Sequence, residues 1–169
     1  RRPLLDVAGG SGIYAAAMVA SHPTLTATVF EQCPVDALCR AEIEAQGLSD
    51  RITVQSGDMF QQAWPAADVI LLSNVLHDWD WPEMQDLVHK AVATLPTNGL
   101  LIIHDAFINE TKTGPLAVAE YSSLLMNITQ GKCYSTAEYT TVLQNAGCTV
   151  GPYKDTIGDR GFLTATKIG

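Results

Sequence analysis

Several short stretches of this chain carry side chains able to do chemistry, and each directly follows an apolar run. The segment Ser73-Asn74-Val75-Leu76-His77-Asp78-Trp79 sets an imidazole beside a carboxylate and an indole. Imidazole titrates near neutral pH, so His77 can take the proton from a hydroxyl and turn it into a nucleophile. His104, in Ile103-His104-Asp105, is the rival base. His22 and His89 read as structural or surface histidines. Three glycines, Gly9, Gly10 and Gly12, fall within four residues. Lacking a Cβ, they let the backbone bend sharply and come close to a ligand. Glu31 lies 19 residues beyond Gly12, where an acid can accept both ribose hydroxyls of an adenosine. Asp58 can accept from an adenine amino group, with Met59 and Phe60 packing on the ring faces.

These groups must be positioned by strands, helices and turns. Leu4 to Val7 reads as a buried strand, and the glycines then lead into the helix-forming run Ala15 to Ala20. A helix start there presents free N–H groups and a positive dipole end. Further strands are expected over Leu25–Phe30, Arg51–Gln55, Ala67–Leu72 and Leu100–Ile103, with helices over Val35–Ala45 and Trp81–Leu95 between them. Such alternation means a parallel sheet with helices on both faces. Beyond it, Pro115–Ile128 and Thr136–Ala146 read as helices. Cys148–Tyr153 and Phe162–Lys167 read as two strands joined by a turn at Gly158–Gly161. The expected fold is α/β: a doubly wound, mostly parallel seven-stranded sheet ending in an antiparallel hairpin, as one domain over residues 1–169. In open sheets of this class ligands bind outside the carboxyl ends of the strands. There the glycine turn, Glu31, Asp58, Ser73 to Asp78 and His104-Asp105 should share one rim.

Composition narrows the functional classes. Of 169 residues, 47% are hydrophobic and 17% charged, which suits a globular domain. The net charge is −8, and Arg1-Arg2 is the one adjacent basic pair, so nucleic acid is not an expected partner. No apolar stretch reaches membrane-spanning length. Cys33, Cys39, Cys133 and Cys148 form no C-x-x-C pair and read as reduced thiols of a cytoplasmic protein. No cluster of metal ligands is evident, so metal-independent chemistry is expected. The start at Arg1-Arg2-Pro3 runs straight into a strand and suggests a fragment of a longer protein.

The residues leave two cofactors open. Gly10-x-Gly12-x-x-Ala15 fits the dinucleotide pattern of an NAD-linked oxidoreductase. Asp6 argues the other way, because a carboxylate before the glycines would face a second phosphate poorly. It suits the ammonium of an amino-acid tail, as in S-adenosylmethionine. Taken together, Asp6-Val7-Ala8-Gly9-Gly10-Ser11-Gly12, Gly57-Asp58-Met59-Phe60, His77-Asp78-Trp79, Asn98-Gly99, Asp105, Gly131-Lys132 and Ala146-Gly147 resemble the S-adenosylmethionine-dependent O-methyltransferases of small aromatic molecules. This is the caffeic-acid, flavonoid and hydroxyindole type, and the resemblance covers essentially the whole chain.

The resemblance implies methyl transfer to a hydroxyl of a small aromatic or natural-product-like acceptor, with His77 as general base and Asp105 as one of two acids that orient it. The second acid is replaced here by Cys133, which weakens the case for base catalysis and leaves a non-catalytic S-adenosylmethionine-binding module as an alternative. Asp6, Ala8, Gly9, Gly10, Gly12, Glu31, Asp58, Met59, Phe60 and Ser73 fall on cofactor-binding positions. Ala8 replaces the first family glycine, whose role is mostly a backbone contact. Asp78, Trp79, Met126 and Asn127 are expected on the acceptor side, and Asp78 could compensate for the lost acid. Family members usually carry an N-terminal helical dimerisation domain, absent from this sequence, so a homodimer is expected of the full-length protein.

Overall fold

The structure, a computed structural model, describes residues 3–169; the basic pair Arg1-Arg2 lies outside the described residues. In chain order the elements are β1 (Pro3–Val7), α1 (Ile13–Ser21), β2 (Thr26–Glu31), α2 (Val35–Ala45), β3 (Ile52–Ser56) and β4 (Val69–Ser73). A single 3₁₀ turn, Leu76–Asp78, precedes α3 (Trp81–Thr94) and β5 (Leu100–Asp105). Then come α4 (Leu116–Ile128), α5 (Thr136–Asn145), β6 (Cys148–Val150), β7 (Lys154–Asp155) and β8 (Gly161–Lys167). The strands form one sheet in the order β3-β2-β1-β4-β5-β8-β6, with β7 also paired to β8. The pairings among β1 to β5 are parallel, and those of β8 are antiparallel. No described helix is long and apolar enough to cross a membrane.

Side chains alternate across a strand, so each central strand feeds two cores. Leu5, Val7, Ile70, Leu72, Leu101 and Ile103 pack on one face with Met84, Leu87 and Val88 of α3 and Tyr139, Val142 and Leu143 of α5. Leu4, Ala27, Val29 and Leu71 pack on the other with Ala15 and Val19 of α1 and Cys39 and Ile43 of α2. The same alternation sends His104 and Asp105 to opposite faces. Asp105 follows Leu101 and Ile103, while His104 follows Ile102. Helix starts are marked in the sequence: Asp80 caps α3, and Ser135 with Glu138 forms a reciprocal capping box on α5.

The sheet has eight strands rather than the expected seven, because the stretch expected as one strand over Cys148–Tyr153 is broken. β6 stops at Val150, and a Cβ at Gly151 would lie 2.5 Å from Thr164 Oγ1. Pro152 then has no N–H to offer the ladder. The chain steps away from β8 and rejoins it as the two-residue β7.

Candidate active site

The turn from β1 into α1 runs through three left-handed residues, Ala8 (φ 53°), Gly10 (φ 58°) and Gly12 (φ 78°). Glycine adopts this conformation freely, whereas alanine is strained there by about 1–2 kcal/mol. The position of Ala8 is therefore conformational as well as a backbone contact, and its N–H donates to Phe30 O at 2.8 Å. Gly12 N–H closes the turn on Gly9 O at 2.9 Å, and Gly12 caps α1 with no side chain to satisfy the first amides.

Asp6 lies beneath this turn, so close that a Cβ on Gly9 would sit 2.6 Å from its carboxyl carbon. Its side chain is fully buried, and neither carboxylate oxygen has a hydrogen-bond partner. Burial pushes its pKa up to about 7; the Ala15 amide pulls the other way without reaching hydrogen-bond geometry, and the nearby Glu31 charge adds to the rise. An orphaned, buried carboxylate is costly. A cation brought to the glycine turn would relieve that cost, and the ammonium of an amino-acid tail fits this demand.

Glu31 ends β2 beside the turn. Its Oε2 accepts from Gly10 N–H at 2.9 Å and its Oε1 from Gln32 N–H at 2.8 Å. Each oxygen keeps a lone pair for a ribose hydroxyl. Glu31 lines a cleft with Ala8, Asp58, Met59, Phe60 and Trp79. Asp58 Oδ1 accepts from the N–H groups of Phe60 at 2.7 Å and Gln61 at 3.2 Å, which shapes the loop and leaves Oδ2 for a ligand. From α3, Lys90 Nζ donates to Met59 O at 2.7 Å and Phe60 O at 3.1 Å, holding the loop from behind. Phe60 and Trp79 meet edge-on at 4.6 Å. Trp79, expected on the acceptor side, lines the same cleft as Glu31 and Asp58.

His77 sits on the 3₁₀ turn after β4 and is 3% exposed. Its Nδ1 pairs with Asp105 Oδ1. Asp105 is 1% exposed; its Oδ1 also accepts from Ala106 N–H at 2.7 Å, and its Oδ2 from Tyr139 O–H at 3.5 Å. The Nε2 faces Asp78 Oδ1 at 3.5 Å and Tyr121 O–H at 3.2 Å. The backbone of the turn is held by the loop after α4. Gln130 N–H donates to Asp78 O at 3.1 Å, and Tyr134 O–H donates to Trp79 O at 2.8 Å. A Cβ on Gly131 would fall 2.2 Å from His77 O and 2.5 Å from Trp79 N, so only glycine fits.

The remaining expected residues are distributed unevenly. His104 turns to the opposite face, where its Nδ1 pairs with Ser73 Oγ at 2.8 Å and its Nε2 with Thr156 Oγ1 at 3.3 Å. Burial lowers its pKa, and it has no carboxylate to orient it, so it is the weaker candidate base. Ser73 Oγ, expected at the cofactor, pairs with His104 Nδ1 and is approached by Asn74 Nδ2 at 3.4 Å. Cys133 is buried, and desolvation pushes its thiol up to about 11, so it stands as a neutral group where an acid was expected. Met126 is 65% exposed, and Asn127 Nδ2 donates to Ser123 O in its own helix. The α4 residue that reaches His77 is Tyr121, which sequence reasoning missed, along with Tyr139 and Arg160. Arg160 was visible only as part of a hairpin turn; it places its guanidinium 4.6 Å over the Tyr121 ring.

Comparison with known proteins accords with this geometry. A family model for the O-methyltransferase domain matches residues 2–149. A 3-hydroxy-5-methyl-1-naphthoate 3-O-methyltransferase of Streptomyces sahachiroi is 34% identical over 148 residues, covering 87% of this chain and 43% of that protein. The crystal structure of an O-methyltransferase family 2 protein from Planctomyces limnophilus, in complex with apigenin, superposes with a TM-score of 0.96 at 41% identity. That match covers 99% of this chain and 50% of the other. Human N-acetylserotonin methyltransferase in complex with S-adenosylmethionine gives a TM-score of 0.91 at 26% identity, covering 99% of this chain and 48% of its own. The chain thus spans about half the length of these relatives or somewhat less. With a family model matched over most of its length, and with the carboxylate-lined glycine turn and the buried imidazole on one sheet rim, this chain belongs to the O-methyltransferase domain family.

Proposed function

We propose that this domain transfers a methyl group from S-adenosylmethionine to a hydroxyl of a small aromatic or natural-product-like molecule, with His77 as the general base. The observation that carries the reading is the buried His77–Asp105 pair, which engages Nδ1 and leaves Nε2 as the proton-accepting nitrogen. S-adenosylmethionine supplies an electrophilic methyl group on a sulfonium; the rest falls to this chain's own side chains. Asp6 holds the ammonium, Glu31 the ribose hydroxyls, and Asp58 the adenine amino group, while Met59, Phe60 and Trp79 pack on the ring. His77 takes the acceptor's proton at Nε2, and Asp105 fixes the tautomer and stabilises the imidazolium that forms. Base assistance of this kind contributes about 10²–10⁴-fold, and alignment of the two reactants contributes further. The relative that holds apigenin makes that phenol a suitable probe acceptor. In the full protein a homodimer built through a preceding helical domain accords with the resemblance, and the share of the relatives left uncovered gives room for such a domain.

The test is His77→Ala, assayed by transfer of a labelled methyl group to apigenin and by calorimetric titration with S-adenosylmethionine. Turnover is expected to fall at least about 100-fold, with cofactor affinity within about twofold of the parent. Equal loss of both would make His77 a structural residue and sink the proposed role.

A further inference from the structure

We infer that Tyr121 is a further catalytic residue, a relay that carries the acceptor's proton to His77. The inference rests on the base reading above and asks how the proton reaches a buried imidazole. His77 is 3% exposed, and Asp105 occupies its Nδ1. The one direction left, toward Nε2, is filled by the Tyr121 hydroxyl at 3.2 Å, with the two rings meeting edge to face at 5.4 Å. The other group near Nε2, Asp78 Oδ1 at 3.5 Å, has no proton to give when ionised. Among the described residues, Tyr121 is therefore the donor to the neutral imidazole.

A phenol donates one hydrogen bond and keeps lone pairs to accept another. Tyr121 is only partly buried, and its oxygen keeps lone pairs with which to accept from an incoming hydroxyl. Its ring is fixed from two sides. The Arg160 guanidinium lies 4.6 Å over the ring face, and Arg160 Nε donates to Asn74 Oδ1 at 2.8 Å, tying the turn before β8 to the end of β4. Burial keeps the phenol protonated at neutral pH, against the opposing pull of Arg160.

The transfer balances as two coupled proton moves. The O–H bond of Tyr121 breaks as its proton bonds to Nε2 of His77, and the acceptor's O–H bond breaks as that proton bonds to the Tyr121 oxygen. Tyr121 ends as it began, His77 ends as an imidazolium against Asp105, and the acceptor oxygen keeps the electron pair.

The test is Tyr121→Phe, which keeps the ring and deletes the hydroxyl. One measurement needs no substrate: ¹⁵N NMR of His77 in the free protein should show Nε2 shifted when the hydroxyl is removed. An unchanged resonance would overturn the inference. The second uses S-adenosylmethionine and apigenin. Turnover is expected to fall about 10- to 100-fold in Tyr121→Phe, with cofactor affinity unchanged. The parent's rate should bend downward with the D₂O fraction, as two protons in flight require, and become linear in the variant. Turnover that is unchanged or raised would mean that Tyr121 merely covers the base, and a linear dependence in the parent would also overturn the relay. His77→Ala separates the two readings. If it leaves turnover intact, the base assignment itself fails; if it abolishes turnover while Tyr121→Phe does not, only the relay fails.

Discussion

Replacing Asp105 by Asn removes a charge while leaving the shape of the site nearly intact, and so isolates what the carboxylate does electrostatically. An amide oxygen at Oδ1 can still accept from Nδ1 of His77 and from Ala106 N–H, while the amide nitrogen at Oδ2 meets Tyr139, whose hydroxyl can accept as well as donate. The fold should lose about 1–2 kcal/mol, the cost of one imperfect buried hydrogen bond, which lowers Tm by a few degrees in a domain of this size. The imidazolium loses far more. With charge centres about 4 Å apart and an effective dielectric near 20, the ion pair is worth about 4 kcal/mol, or about a thousandfold in rate. Reorganisation around a neutral amide recovers part of that, so turnover should fall about 10²–10³-fold. The assay pairs methyl transfer to apigenin with calorimetric affinity for S-adenosylmethionine, which should not change because Asp105 is not among the residues lining the cleft of Glu31 and Asp58. A folded Asp105→Asn protein turning over within threefold of the parent would refute the idea that this charge stabilises a protonated His77.

Two further predictions concern the cofactor side. Asp6 has a folded pKa of about 7 against an ordinary value of 3.8, so between those values the folded state binds a proton that the unfolded state has released. Stability should therefore decline as pH rises from about 4 to about 7 and level off above, by at most about 4 kcal/mol. Asp6→Asn should flatten this decline and weaken S-adenosylmethionine binding, as read by denaturant titrations at pH 5 and pH 8 and by calorimetry; a parallel pH profile in the variant would exclude Asp6 as the source. Glu31→Gln should raise the cofactor Kd about 10- to 100-fold, the loss of one or two charge-assisted hydrogen bonds, with the maximal rate little altered. An unchanged Kd in isothermal titration would remove Glu31 from the ribose site.

Much of this architecture is legible in the sequence because local patterns and global topology agree. The run Leu4 to Val7, the glycines and the helix beyond them predict β1, the turn and α1 where they stand, and Glu31 is found because a parallel strand must end beside that turn. The pleat of β5 separates His104, the rival of His77 as base, from Asp105, which pairs with His77. Tyr121 is not legible in the sequence because helical periodicity locates an inward face without saying which neighbour it meets. Arg160 was read as turn chemistry, since nothing local reveals that the turn folds back over α4. That Trp79 meets Phe60 edge-on depends on the 3₁₀ turn after β4, which its closeness to His77 in sequence does not reveal. The break at Gly151 depends on a close approach to Thr164 that lies in β8, far along the chain.

The wedge of Gly131 against the carbonyl of His77 has a mechanical consequence. With no side chain between them to absorb displacement, the loop after α4 and the backbone of the His77 turn are held as one stiff piece. The exposed side chains Leu124, Met126 and Ile128 lie on the last turns of α4, a few residues before that wedge. A larger side chain at position 131 would have to displace the turn that carries His77.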